Sequence, residues 1–407
     1  MKKEQKNSPN LRFKGFTEDW ELCKLGDLAN IVGGGTPNTN NPKCWDGNID
    51  WYAPAEIKEK IYVTGSKKRI TELGLQKSSA KVLPIGTVLF TSRAGIGNTA
   101  ILAKKGTTNQ GFQSIIPNKN KLDTYFIFSR THELKKYGEA VGAGSTFVEV
   151  SGKQMAKMPM LTPRFNEQQA IGMFFKKIDD IITLHQRKLD QLKELKKVYL
   201  QAMFVSMKTK NNKVPKLRFA DFKGEWDQRK SKELFIPKSE KNQPTLPVLS
   251  VTQDSGVVYR DQVGIDIKYD STTLKNYKVV NKDDFVISLR SFQGGFELSD
   301  KKGITSPAYT IFVPKDIKLH DNLFWKTQFK TFQFIEALKT VTFGIRDGKS
   351  ISFTEFGDLK LCFPKNKKEQ QKIGKFFEEL DHAISIHQNK LTQLNSLKKS
   401  YLQNMFI

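Results

Sequence analysis

No apolar run in this 407-residue chain approaches the ~18 residues that a bilayer-spanning helix needs, so the sequence offers no membrane span. Cysteine is scarce: Cys23, Cys44 and Cys362 form an odd set without paired spacing. That excludes a disulfide framework and a zinc knuckle, and it fits a reducing cytoplasm. The charged start, Met1-Lys-Lys-Glu-Gln-Lys6, has no apolar stretch behind it and does not read as a secretory signal. The phosphate-cradling pattern G-x-x-x-x-G-K-[ST] is missing, which leaves ATP binding without visible support. Gly95-Ile-Gly97 reads as a tight strand-to-loop turn, and Gly33-Gly-Gly35-Thr-Pro37 as a flexible or DNA-facing loop. The five histidines lack metal spacing. Asn41-Pro42 is followed by Lys-Cys instead of the aromatic residue that an amino-methyltransferase motif requires. The sequence thus carries no catalytic constellation and no metal site. Acid is also in deficit, with 42 Asp and Glu against 67 Lys and Arg, a formal net charge of +25. Such an excess points to a polyanionic partner, nucleic acid before an anionic membrane surface. Charge supplies affinity without sequence choice.

What the chain does have is an internal repeat. Glu167 to Phe204, EQQAIGMFFKKIDDIITLHQRKLDQLKELKKVYLQAMF, returns as Glu369 to Phe406, EQQKIGKFFEELDHAISIHQNKLTQLNSLKKSYLQNMF, with 23 of 38 positions identical and no gap. A shorter echo precedes it: Pro9-Asn-Leu-Arg-Phe13 with Trp20 recurs as Pro215-Lys-Leu-Arg-Phe219 with Trp226. Repetition at this spacing means two copies of one unit. Between the repeated segments the two halves differ greatly.

Each long repeat has steps of three and four. Phe175, Ile178, Ile182, His185, Leu189, Leu192, Lys196, Tyr199 and Met203 form one seam, with Leu195 widening the stripe. Phe377, Leu380, Ile384, His387, Leu391, Leu394, Lys398, Tyr401 and Met405 form the other. His185 and His387 share a seam position, where a polar residue fixes register. A helix of this length spans roughly 57 Å at 1.5 Å per residue and needs a partner for its seam. The matching seam is the other copy. Chain order makes the pair antiparallel, with one globular unit at each end and Pro9–Phe13 beside the end of the second helix.

The expected organisation is α+β: an N-terminal arm (1–10), a first globular domain (11–163), a first helix (164–208) and a basic linker (209–216). A second globular domain (217–365) and a second helix (366–407) complete it. Val88-Leu-Phe-Thr91, Gln113-Ser-Ile-Ile116, Val248-Leu-Ser-Val251, Phe285-Val-Ile-Ser288 and Tyr309-Thr-Ile-Phe-Val313 read as strands. Leu122 to Tyr137 and Asn322 to Lys339 read as parallel helices. Ser151-Gly-Lys-Gln154 reads as a capping box, with Thr354 opening the corresponding short helix of the second half.

This order resembles the DNA-specificity (S) subunit of Type I restriction-modification enzymes, in which two variable target-recognition domains alternate with two conserved helical regions. The resemblance rests on the twin EQQ…IG..FF helices and the Leu-Arg-Phe…Trp entries. The first half adds Gly33-Gly-Gly-Thr-Pro37, Pro42-Lys-Cys-Trp45, Asp50-Trp51, Ser78-Ser-Ala-Lys81, Gly86-Thr-Val-Leu89, Ser92-Arg93 and Thr108-Asn-Gln-Gly-Phe112. The resemblance implies a non-catalytic subunit that binds a bipartite DNA sequence, one half-site per recognition domain. It further implies docking of two methyltransferase subunits and, through them, of ATP-driven restriction endonuclease/translocase subunits. S-adenosylmethionine, ATP and magnesium would then belong to those partners.

Long forked or amide side chains on loops are suited to direct readout, Arg to guanine and Asn or Gln to adenine. The candidates are Arg93, Asn109 and Gln110, then Thr36 and Asn38, in the first half. Those of the second half are Arg290, Gln293, Arg346 and Gln253. Lys67, Lys68, Arg69, Lys104 and Lys105 read as phosphate clamps. Two other classes stay open: a self-sufficient restriction or modification enzyme, and a helical adaptor whose basic surface only solubilises it.

Overall fold

The computed structural model describes residues 8–57, 60–93, 95–143, 149–206, 213–252, 256–263, 271–288, 295–341 and 351–407. The chain divides into two compact units. The first comprises Met1–His185 with Lys390–Ile407, the second Gln186–Asn389. Each unit therefore takes one part of each long helix, Phe165–Ala202 and Lys367–Met405.

In the first unit, short strands build an antiparallel sheet. Its order is Ala29–Gly33, Gln113–Pro117, Val88–Phe90 and Thr99–Leu102, with Tyr62–Val63 added in parallel at one edge. A separate three-stranded sheet sets Trp45–Tyr52 between Lys68–Ile70 and Thr107–Thr108. Glu21–Lys24 pairs with Pro159–Thr162, which brings the two ends of the globular part together. Ser151 caps the helix Gly152–Ala156 in a capping box with Gln154, as the spacing predicts. The region read as one helix from Leu122 is two, Thr124–Ser129 and Thr131–Gly142, broken at Arg130.

The second unit repeats this frame. Phe235–Lys238, Thr310–Pro314, Phe285–Ile287 and Phe296–Leu298 form a four-stranded antiparallel sheet in the corresponding order. Asp227–Lys230 pairs with Lys360–Phe363 as Glu21–Lys24 pairs with Pro159–Thr162. Here too the expected single helix is two, Asn322–Gln328 and Phe332–Val341. The short helix Phe353–Gly357 is capped by Ser352 with Glu355, not opened by Thr354, because the hydroxyl one residue before the helix is the one that accepts the Glu355 amide.

Within each unit the helical segments run antiparallel, with the same contacts twice. Phe174 meets Tyr401 edge-on at 4.9 Å in the first unit, and Tyr199 meets Phe376 at 5.0 Å in the second. Seam residues from Phe175 to Met203 and from Phe377 to Met405 are all buried or half-buried. Leu195 does not widen the seam: it stays 43% exposed, pointing off the paired face. Just past the end of each long helix a phenylalanine enters the core. Phe406 packs on Phe126, Phe175 and Trp20, as Phe204 packs on Phe324, Phe377 and Trp226. The entry Pro9–Phe13 lies at the end of the second helix, where the Leu11 amide donates to Asn404 O at 2.8 Å. Leu217 N donates to Ala202 O at 2.9 Å in the second unit.

The second core also contains a pH-sensitive group. His320 is 8% exposed and lies among Phe235, Trp325 and Phe363, with no hydrogen-bond partner for Nδ1 among the described residues. Burial lowers its pKa, Asp316 opposes that shift, and Arg229 and Lys367 add to it. The unfolded chain therefore binds a proton more readily than the folded unit. Stability is unaffected above the unfolded value of about 6.5 and falls as pH drops through it, until the lowered folded value is passed. Thermal melts between pH 7.5 and 5 should show this loss. His320→Gln should flatten that part of the profile, and an unchanged profile would exclude His320 as its source.

Candidate nucleic-acid interface

Both units hang on one repeated hub. Glu167 at the head of the first long helix takes Arg12 in a forked ion pair, Nε to Oε1 and Nη2 to Oε2, both 2.7 Å. That bond raises the Arg12 pKa further, against the opposing effect of burial. Arg218 and Glu369 repeat the fork at 2.7 and 2.8 Å, and Trp226 Nε1 also donates to Glu369. The neighbouring amide ties the helix to the globular part. Gln168 accepts from Asp123 N and donates to Lys121 O and Pro163 O. Gln370 accepts from Asp321 N and donates to Leu319 O and Pro364 O. The repeated glycine has a steric cause. A Cβ on Gly172 would stand 2.3 Å from Asp123 Oδ1, and one on Gly374 2.6 Å from Phe324 N, both atoms at helix caps. The motif that doubles in the sequence is thus a joint, and it fixes a platform for the loops that differ.

On the first unit those loops form a contiguous edge. Gly34 and Gly35 are tied to their neighbours: Gly35 N donates to Thr108 O at 2.9 Å, and Trp51 Nε1 donates to Gly35 O at 2.8 Å. A Cβ on Gly34 would meet Asn109 O at 1.9 Å, and one on Gly35 would meet Ser79 Oγ at 2.3 Å. This close approach presents Thr36 to Gln110, whose Oε1 accepts the Thr36 hydroxyl proton. Asn109 Oδ1 accepts Gly111 N at 2.9 Å. Ser92 N donates to Gly111 O, and Val150 N to Ser92 O. Arg93 and Glu149 are thereby brought side by side, Nε 2.8 Å from Oε1, with side chains 45% and 31% exposed.

The aromatic pair Trp45 and Trp51, edge-on at 5.1 Å, joins this edge to the adjacent strand. Trp45 Nε1 donates to Asn38 O, and Lys68 lies over the Trp45 ring. Lys67, Lys68 and Arg69 are exposed, and Arg69 is paired with Asp50 at 3.3 Å. Beneath them Tyr52 is fully buried, its hydroxyl pushed up to about 12, chiefly by burial, so it stays neutral. Lys104 and Lys105 are exposed on a separate turn, and no described bond connects them to this edge. The sequence reading missed Trp45 and Glu149. The Trp45–Trp51 spacing was visible, but Glu149 gave no signal before the pairing of Val150 with Ser92 was known.

Gly95 and Gly97 form a tight turn with φ of 98° and 97°, closed by Gly97 N to Thr91 O and Asn98 N to Thr91 Oγ1. Arg290, Gln293, Arg346 and Gln253 lie outside the described residues. Among the described residues no group of side chains could hold a metal ion. Among them, too, no helix is long and apolar enough to cross a membrane.

A family model described as "Type I restriction modification DNA specificity domain" matches twice, over residues 17–194 and 223–396. The chain is similar to the Type I restriction enzyme MjaIX specificity subunit of Methanocaldococcus jannaschii, 34% identical over 187 residues, covering 45% of this chain and 43% of that protein. It is similar to the EcoR124I/EcoR124II specificity subunit of Escherichia coli, 29% identical over 192 residues, 44% of this chain and 46% of that one. It thus spans less than half the length of these two relatives. The MjaVIII specificity subunit of M. jannaschii aligns at 21% identity over 403 residues, 95% and 91% of the two chains. Among solved structures, the S subunit of a Type I restriction-modification system from M. genitalium shares the fold. The TM-score is 0.64 at 15% identity, over 98% of this chain and 99% of that one.

Proposed function

The chain belongs to the Type I restriction-modification DNA specificity family through both of its halves, and from that premise we propose that it is the sequence-reading subunit of such a complex. It binds double-stranded DNA at a bipartite target, one half-site per unit, and scaffolds two methyltransferase subunits and the restriction subunits. The observation that carries this reading is one hub, Arg–Glu–Gln–Gly, built twice in halves whose intervening sequences differ. Equivalent mounts under loops of differing sequence suit a protein that presents two different surfaces. The excess of 25 positive charges supplies the phosphate attraction. Methyl transfer, translocation and cleavage, with S-adenosylmethionine, ATP and magnesium, fall to the partner subunits.

Two measurements test the proposal. A salt titration of DNA binding should show log affinity falling steeply with log salt, by about 0.9 per phosphate neutralised; a flat response would favour the adaptor reading. Mapping methylated adenines in the source genome, with and without the gene, should reveal one split motif that disappears with it. Methylation or cleavage of DNA by the purified chain alone, supplied with magnesium and S-adenosylmethionine, would favour the self-sufficient enzyme.

A further inference from the structure

The reading edge of the first unit has a polarity. Asn109 Oδ1 is taken by Gly111 N, and Gln110 Oε1 by the Thr36 hydroxyl. An amide that reads adenine needs its oxygen for N6–H and its nitrogen for N7. Each oxygen already has one of its two lone pairs engaged inside the protein, so among the described residues the N–H2 end is the end of these side chains with its full capacity left. Arg93 beside them carries donors only. The edge therefore favours base atoms that accept over the adenine role expected for Asn109 and Gln110 from their type.

Arg93 is also held. Glu149 Oε1 stands 2.8 Å from its Nε. The backbones of the two residues are aligned by Val150 N to Ser92 O, and Ser92 N is bound in turn to Gly111 O. Nε lies at the inner side of the guanidinium, so a carboxylate there leaves the outer Nη1/Nη2 fork free to meet two acceptors at once. The pair of neighbouring acceptors on a base edge in the major groove is guanine O6 and N7. An exposed arginine without such a brace would sample many rotamers and act as a general phosphate contact.

We propose that Glu149 is a positioning residue that fixes the Arg93 fork for one guanine in the half-site read by the first unit. This rests on the DNA-reading function proposed above, and the test separates the two. Duplexes randomised over both half-sites are selected with the full chain, co-expressed with its methyltransferase subunits. The native protein, Arg93→Ala, Glu149→Ala and Glu149→Gln are compared, each checked for an unchanged melting curve.

Native protein should yield a split motif. Arg93→Ala should lose guanine preference at one position by roughly 5- to 150-fold and leave the other half-site intact. Glu149→Ala should weaken the same position by roughly ten-fold, within the range for one bidentate contact, without changing the salt slope. Glu149→Gln, whose amide oxygen still faces Nε, should restore it. A merely structural role would not act on one base pair. The inference is overturned if Glu149→Ala leaves the preference intact, or if the position lost in Arg93→Ala is adenine. It also falls if Arg93→Ala weakens all sequences equally and lowers the salt slope by about one, since Arg93 is then a phosphate contact. Selection of no motif by the native protein would instead overturn the DNA-reading function itself.

Discussion

Arg218→Met is expected to destabilise the second unit by about 3–5 kcal/mol, the cost of leaving one partner of a buried ion pair uncompensated. The side chain of Glu369 is 2% exposed, so the freed carboxylate cannot reach water. Removing both charges should cost much less, because the buried pair offsets its own desolvation only narrowly. The two units should then part ways. In the second, Arg218→Met with Glu369→Leu also strips Trp226 Nε1 of its acceptor, a further cost of about 1–3 kcal/mol. In the first, Trp20 Nε1 has no hydrogen-bond partner among the described residues to begin with. Arg12→Met with Glu167→Leu should therefore recover more completely than its counterpart. Hydrogen exchange, followed separately for amides of each unit, measures both effects without assuming a single unfolding transition. Equal losses for single and double variants would show that the pairs act by packing alone.

That hub also explains what the sequence could reveal. Arginine, glutamate, glutamine and glycine recur unchanged in both halves because each makes a contact that no other type can make there. A fork needs Arg, its buried bidentate acceptor needs a carboxylate, and 2.3 Å of clearance at Gly172 admits no Cβ. The long helices were legible for a similar reason, since a seam of large residues is periodic at helical spacing. The doubled sheet was legible in single strands but not in its order. Val88–Phe90 and Phe285–Ile287 occupy matching places in their sheets, yet each is only three residues, fully buried. Such strands demand apolar volume without demanding particular residues. Even a repeated polar contact can hide. Arg130 Nη1 donates to Leu161 O and Gln328 Nε2 donates to Cys362 O, from equivalent helix ends, with different residue types. For the reading edge the limit is different. Arg93 and Gln110 were recognisable as donors, but Glu149 lies 56 positions beyond Arg93 in the chain. The backbone bond between Val150 and Ser92 places it there.

A second contrast arises where the two copies share residues but not surroundings. Lys398 pairs with Asp179 at 2.6 Å in the first unit, and Lys196 pairs with Asp381 in the second. The lysines are alike in exposure, 28% and 26%, but Asp179 is 5% exposed and Asp381 49%. Asp179 also accepts the Tyr125 hydroxyl at 2.8 Å, which holds that phenol well above its usual range, with burial the larger cause. Lys398→Met should leave a buried carboxylate with one neutral donor and cost about 2–4 kcal/mol, toward the range for breaking a buried pair. Lys196→Met leaves a carboxylate that water can solvate, and should cost about 0–1 kcal/mol. Asp179→Asn in the Lys398→Met background should recover most of the loss, since a neutral amide still accepts from Tyr125. Salt should discriminate as well: added chloride weakens the exposed pair and leaves the buried one nearly untouched. The measurement is a pair of denaturant titrations at low and high salt, read through hydrogen exchange in the unit concerned. If both lysine variants cost the same, the depth of the carboxylate is not what sets the strength of these pairs, and sequence identity between the copies would be the better guide to energetics.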